Sequence, residues 1–369
     1  MVGNVGEWRL GRRPALDGLR GLAILLVIVC HVFDTTTGED HPALGLAGVT
    51  VFFTLSGFLI TSLLLEEHSE EGRVRWSHFY GRRARRLLPA LALVLLVVGS
   101  VQVAAGFTGP GALAPVVFYY ANWFAAGGHD LGLLPHTWSL AIEEQFYLGW
   151  PLVLVCVRGR RRGVEVASVA GIIAAVVLRI LLWDGGAGAH RVYFGTDTHA
   201  DALLVGCLLA ALAHRGRRLP AVSHRYVTLA VLGLVTFAAV ASAASGAYAT
   251  DVVLPTVVPW LGAVAVLGAC STGPRWMTDP VLRYLGRRSY GIYLWHFALL
   301  LCLGNLTSSP AAAGVTVIVS LAVAELSWRF VEAPFLERPG RSRATGMADP
   351  PASTGRSASG VGGDDGRLV

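Results

Sequence analysis

The chain has 369 residues, 54% hydrophobic and 15% charged, with a net charge of +6 and a mean hydropathy of +0.56. That is more apolar material than the core of a soluble domain of this length needs, so the sequence reads as a polytopic membrane protein. All 30 basic residues are Arg, and they fall in short clusters between apolar runs; orientation in a bilayer explains this pattern, which argues against nucleic acid as a partner.

Ten apolar runs are long enough to cross: 17–33, 46–65, 87–106, 138–157, 164–183, 199–213, 226–243, 252–270, 289–306 and 311–330. The expected fold class is all-α, a transmembrane helical bundle of about ten spans. No cleavable leader pattern precedes Leu19, so the first span is expected to be retained. The stretch 111–125, "GALAPVVFYYANWFA", is too short for an eleventh span and is interrupted by Pro115, which suits an interfacial or re-entrant piece.

With a cytoplasmic N-terminus, 26 of the 30 Arg lie in segments on the inner side and only Arg191 in an outer one. The positive-inside rule therefore predicts that both termini are cytoplasmic. The domain reading is a cytoplasmic N-terminus over 1–16, one transmembrane domain over 17–330 and a cytoplasmic tail over 331–369. From about 338 the tail is rich in Gly, Ser, Pro and Asp and is expected to be disordered. The five Cys lie singly, with no paired spacing, and read as packing residues; no metal is expected.

Several spans carry groups that hydrocarbon disfavours. In "ALDGLRGLAILLVIVCHVFD" (15–34), Arg20 and His31 are eleven residues apart, hence about 20° apart in azimuth and about 16 Å apart along the axis. Asp17 lies within about 40° of the same direction. Arg20 and His31 can each snorkel to a headgroup layer, but three polar groups on one stripe favour a lined cavity. Between spans two and three, "RWSHFYGRRARRLLPA" sets Arg82, Arg83, Arg85 and Arg86 at a cytoplasmic helix start. Such a cluster serves as a topology signal, and it also suits a phosphate-rich cytosolic ligand such as a nucleotide-bearing cofactor.

The fourth span opens with "LPHTWSLAIEEQFYLGWP", whose His136, Ser139 and Glu143 share one helical face. Glu143 can orient an imidazole, pair with a buried Arg, or form a structural ion pair at the outer surface. "YFGTDTHADALLVG" places Asp197, His199 and Asp201 at the outer edge of span six, where Asp is also a common cap. Tyr290, Tyr293 and His296 on span nine read mostly as an interfacial aromatic belt. Glu325 in span ten is spaced to pair with Arg329.

These blocks, in order, resemble the acyltransferase-3 family of integral membrane O-acyltransferases, which includes bacterial O-antigen and exopolysaccharide acetylases and macrolide O-acyltransferases. The resemblance runs from about Pro14 to Pro339 through "LDGLRGLAILLVIVCHVF", "GVTVFFTLSGFLITSLL", "FYGRRARRLLPAL", "HTWSLAIEEQFYLGWPL", "DALLVGCLLA", "YLGRRSYGIYLWH" and "VEAPF". The family's Arg, ten residues, then His pattern falls on Arg20 and His31. Its Arg-x-x-Arg falls on Arg83 and Arg86, its Phe-Phe-x-x-Ser-Gly-Phe block includes Ser56 and Gly57, and its Trp-Ser-Leu-x-x-Glu block ends at Glu143. One departure is His199, where the family pattern has Arg. The sequence given shows no esterase-like domain of the kind some members carry after the last span, so the bundle is expected to act without one.

The resemblance implies an O-acyltransferase moving an acyl group, acetyl or another short chain, from cytosolic acyl-coenzyme A to a hydroxyl of a carbohydrate or glycosylated acceptor. A bacterial cell membrane is the implied location. The chemistry needs a base, a site for the developing oxyanion and a grip on the donor's phosphates. The expected catalytic residues are His31 as base, Arg20 and Glu143; Arg83, Arg86, Arg82 and Arg85 would hold the coenzyme. His136, Ser139, Asp201 and Ser56 would contact substrate, and no metal takes part. Two alternatives stand beside this reading: O-acylation of a small secondary metabolite such as a macrolide, and a transporter or flippase with an intramembrane Arg/His/Glu relay.

Overall fold

The computed structural model describes residues 8–38, 42–215, 221–243, 247–271, 273–304 and 310–336. Among them the regular structure is helical and no strand occurs. Long helices occupy all ten apolar stretches: α1 (Pro14–Thr37), α2 (Pro42–Glu71), α3 (Trp76–Ala104), α4 (Thr137–Cys156) and α5 (Arg161–Asp184), then α6 (Thr196–Ala213), α7 (His224–Ala243), α8 (Leu254–Ser271), α9 (Pro280–Gly304) and α10 (Pro310–Ser327). Eight of these stretches are long and apolar enough to cross a bilayer. The other two, α4 and α9, are less apolar because they carry Glu143, Glu144 and Gln145, and Arg283, Arg287 and Arg288. Local sequence sets the ends. Pro stands at the first position of α1, α2, α9 and α10, where its missing N–H costs nothing. α1 stops at Gly38, whose left-handed φ of 70° lets its N–H cap the Asp34 carbonyl.

Small residues let helices meet backbone to backbone, the packing device that membrane helices favour. A Cβ on Gly18 or Gly21 of α1 would overlap the carbonyl oxygens of Met277 and Leu282, and one on Gly286 of α9 would overlap that of Asp17. Arg20 reaches Ser289 and His31 reaches His296, so α1 and α9 run parallel. Gly57 of α2 and Gly206 of α6 make a reciprocal approach, to Leu203 and Thr54. Phe53 faces His199 and Glu66 faces His214, so these helices are parallel too. α5 runs antiparallel to α6, with Glu165 against Arg215 and Arg179 against Asp201. These directions are those of a chain that reverses at every span.

Residues 111–125 form a 3₁₀ turn and two short helices, Ala114–Val117 and Ala121–Ala126. The buried Asn122 ties them to the carbonyl of Phe194 at 3.0 Å and to Thr196 at 2.8 Å. The last helix does not end at 330: a π turn, Trp328–Glu332, leads into Ala333–Leu336. The disordered tail expected from about 338 lies outside the described residues.

Candidate active site

The polar stripe of α1 faces α9. On α9, Ser289, Tyr293 and His296 recur at spacings of four and three, hence on one face, and each touches a residue of the stripe or of α4. The Arg20 guanidinium donates to Ser289 Oγ at 3.0 Å and to the Gly286 carbonyl at 3.4 Å, over the Phe52 ring. Tyr293 donates to the His136 carbonyl at 2.7 Å and receives the Ser139 hydroxyl at 2.7 Å. Nδ1 of His31 lies 2.9 Å from Nε2 of His296.

The last contact fixes a tautomer. His296 is buried, and its Nδ1 faces the carbonyls of Tyr293 at 2.7 Å and Ile292 at 3.1 Å. Carbonyls only accept, so Nδ1 carries the proton and Nε2 of the neutral ring is an acceptor. His31 must then donate from Nδ1. Its Nε2 keeps a free lone pair on the half-buried side of the ring, the arrangement a general base requires. Phe297 stacks on His31 at a centroid distance of 3.9 Å and holds the ring plane.

Four cavities that share walls form a line through the bundle. The first, about 270 Å³, is lined by Arg83, Arg86, Ser56, Tyr147, Glu143 and Arg20. Arg20, Glu143 and Tyr290 also bound the second, a neck of about 50 Å³. Val49 and Tyr293 continue into a third, about 120 Å³, which contains His31 and His136. His31, His136 and Trp138 then open into a fourth of about 630 Å³, which reaches His190 and Asp251. Arg20 and His31 thus belong to one line of cavities, at different depths.

Other expected residues divide. Glu143 does not touch His31; it accepts hydrogen bonds from Ser56 and, at 2.6 Å, from Tyr147. His136 is buried, lines both cavities beside His31, and neither ring nitrogen has a hydrogen bond within the described protein. Arg83 and Arg86 line the first cavity, Arg83 already bound to Glu144 at 2.8 Å and stacked on Tyr147.

Arg82 and Arg85 are not brought to that cavity. Arg82 turns to His78 and Glu67, and Arg85 bonds the Gly81 carbonyl and lines a separate surface cleft with Arg73 and Trp76. At about 100° per residue Arg83 and Arg85 point about 160° apart around the helix, so four neighbouring guanidiniums cannot all face one ligand. Asp201 lines none of the four cavities. It pairs with the fully buried Arg179 at 2.6 Å, and Arg179 also holds Thr256 at 2.7 Å. His199 sits among Phe53, Trp138 and Tyr193. The reading of His296, Tyr290 and Tyr293 as an aromatic belt is corrected: all three turn into the bundle. Glu325 does pair with Arg329, at 2.6 Å, and with Arg288 as well.

Sequence reasoning missed His296 as the partner of His31 and Asp251 as a wall of the fourth cavity. The spacing of Ser289, Tyr293 and His296 was the available signal for the first. Asp251 lay just before the apolar run 252–270, with no motif around it.

Apolar helices suited to crossing a bilayer, wrapped around a line of cavities that carry polar and titratable side chains, define a multi-pass membrane protein with an internal candidate site. Residues 13–328 match the acyltransferase domain family, and the chain belongs to that family. Peptidoglycan O-acetyltransferase OatA of Listeria monocytogenes is 32% identical over 353 residues, covering 87% of this chain and 55% of that protein. YrhL of Bacillus subtilis, provisionally named a peptidoglycan O-acetyltransferase, is 35% identical over 364 residues, covering 87% of this chain and 54% of its own. A Staphylococcus aureus (strain COL) protein provisionally named an O-acetyltransferase is 31% identical over 352 residues, covering 87% and 57%. The chain therefore spans about half the length of the curated relatives it matches. No solved structure matches it.

Proposed function

We propose that this bundle is a membrane O-acyltransferase that takes an acyl group from acyl-coenzyme A at the Arg83 and Arg86 end. It delivers that group, at His31, to a hydroxyl of a carbohydrate acceptor admitted from the opposite end. The observation that carries this reading is the free Nε2 of His31, positioned by the hydrogen bond to His296 and set between the narrow neck and the wide fourth cavity.

In the reaction, Nε2 of His31 takes the acceptor's O–H proton as that oxygen attacks the thioester carbonyl. The acyl carbon–sulfur bond then breaks, and the proton passes to the departing thiolate. His136, with buried ring nitrogens that bond nothing else, is placed to donate an N–H to the developing oxyanion. Arg20 stands about 16 Å from His31 along α1, too far to polarise the same carbonyl, so its part is to hold the donor's arm in the neck. Arg86 and Arg83 bind phosphate at the mouth. Glu143 positions Ser56 and Tyr147 and does not act as the partner of the base.

The Arg distribution supports placing that mouth and both termini in the cytosol, with the chain in the plasma membrane of a bacterium. Membranes containing the wild type and His31→Gln, supplied with acyl-labelled coenzyme A and a mixed glycan acceptor pool, test the reading. Labelled ester should form with the wild type and fall by roughly 10²–10⁴-fold with the variant at equal protein level. Equal labelling would dismiss His31 as the base.

A further inference from the structure

The fourth cavity holds a group that the acyl-transfer chemistry does not use. Asp251 sits in a π turn, Ala249–Val253, that precedes α8. Such turns carry an extra residue and shift the direction of side chains, often at functional sites. Asp251 as a residue is 7% exposed and lines the cavity, yet its side chain makes no hydrogen bond or ion pair to any described residue. A largely buried carboxylate that finds no donor in the described protein and opens only onto a cavity takes its hydrogen bonds from whatever fills that cavity, which points to a ligand that supplies them.

No cation among the described residues pairs with it. Arg191 gives both amino groups to Asp197, at 2.9 and 2.6 Å, and Arg179 is bound to Asp201. The other titratable groups that line the cavity are the imidazoles of His31, His136 and His190. Among the described lining residues, Asp251 is the one acid. The lining also contains the aromatic rings of Trp138, Tyr193, Phe194 and Phe297. Aromatic faces against one carboxylate suit a polyol whose C–H face stacks while its hydroxyls, or an ammonium, donate to the carboxylate.

We infer that Asp251 is the specificity-determining residue for the acceptor: it selects a neutral or amino-bearing polyhydroxyl compound and rejects one that carries a carboxylate beside its hydroxyls. The inference rests on the acyl-transfer reading of the same passage. A like charge within about 8 Å, at the effective dielectric of a partly buried site, disfavours the anionic acceptor by roughly tenfold or more.

The test uses one sugar scaffold in three charge states with the full chain in proteoliposomes: methyl glucoside, methyl glucosaminide and methyl glucuronide. The wild type should acylate the first two at least about tenfold faster than the third, and Asp251→Asn should bring the glucuronide to within about threefold of the glucoside. An unchanged ratio in the variant overturns the inference. So does a wild type that transfers to none of the three while still exchanging acyl groups with free coenzyme A, because the acceptor class would then be wrong. Loss of that exchange in the wild type would instead sink the acyl-transfer reading itself.

A second measurement is independent of turnover. In an Ala189→Cys chain, with Cys156 and Cys302 changed to Ser, a cationic thiosulfonate should label Cys faster than an anionic one, and Asp251→Asn should erase most of the difference. Equal ratios with and without Asp251 would overturn the inference. Because the carboxylate has no partner to lose, Asp251→Asn should melt no lower than the wild type; a lower melting temperature would show a structural role and count against it.

Discussion

His31 and His296 face each other across 2.9 Å, with a proton whose direction is set at the far ring by the carbonyls of Tyr293 and Ile292. A backbone carbonyl thus does the orienting that a carboxylate does in a Ser-His-Asp triad. His296→Phe keeps ring volume but removes the acceptor, and should lower kcat by about 10–100-fold with little change in donor KM. His296→Gln can offer its amide oxygen to His31 and should recover part of that loss. If the two variants are equally impaired, packing and not tautomer control is what His296 supplies.

Arg20 holds the neck through Ser289 and the Gly286 carbonyl, without a carboxylate in ion-pair range among the described residues. A guanidinium makes these forked bonds and an ammonium cannot reproduce them. Arg20→Lys should therefore be nearly as impaired as Arg20→Ala, while Ser289→Ala loses less than about tenfold. Transfer assays with saturating donor separate the cases; full activity in Arg20→Lys would reduce Arg20 to a point charge.

The stripe on α1 was legible because eleven residues bring a helix back to nearly the same azimuth, and polar groups there cannot be explained by burial of apolar surface. The helices themselves were legible from apolar length alone. What the sequence left open was which neighbour each polar group would meet. Glu143 could orient an imidazole, pair with a buried Arg or form an outer ion pair, and spacing alone did not choose among these; the helix that meets His31 is α9, brought against it by the glycines at 18, 21 and 286. Contacts between residues some 265 positions apart have no local signature. The same holds for Asp201, whose acid looked available until Arg179 came to it from α5.

The mouth of the passage distinguishes the four arginines. Arg86 lines the first cavity with no ion pair to any described residue, whereas Arg83 is bound to Glu144 and stacked on Tyr147. Arg86→Ala should raise the KM for acyl-coenzyme A several-fold and leave kcat close to wild type. Arg82→Ala and Arg85→Ala, outside the cavity, should change it less than twofold. Arg83→Ala frees Glu144 as well, so it should affect both stability and KM. Comparable KM increases for all four would favour a diffuse electrostatic attraction over a phosphate site.

Gly57 and Gly206 bring α2 and α6 together at the crossing where Phe53 and Phe58 are buried. A methyl group at either position meets main-chain oxygen, which cannot swing aside as a flexible side chain can. Gly57→Ala and Gly206→Ala should each cost about 1–3 kcal/mol or more and lower the fraction of monodisperse protein in detergent. Retention of wild-type melting temperature in both would show that the helices can separate without loss.

Arg179 and Asp201 offer the last test, because one pair of residues admits either a substrate role or a structural one. Arg179 is fully buried and joins α5 to α6 and α8 through Asp201, the Thr198 carbonyl and Thr256. Removing one member strands a charge in a low-dielectric interior, so Arg179→Met or Asp201→Leu alone should destabilise by about 3–5 kcal/mol. The double variant strands neither charge and should recover much of the loss. If Asp201 instead contacts the acceptor, Asp201→Asn would raise acceptor KM at unchanged melting temperature, and the double variant would remain inactive despite folding normally. Thermal melts and acceptor titrations on the same four proteins decide the matter: recovery of both quantities together in the double variant is the outcome expected from a closed structural ion pair that takes no part in binding.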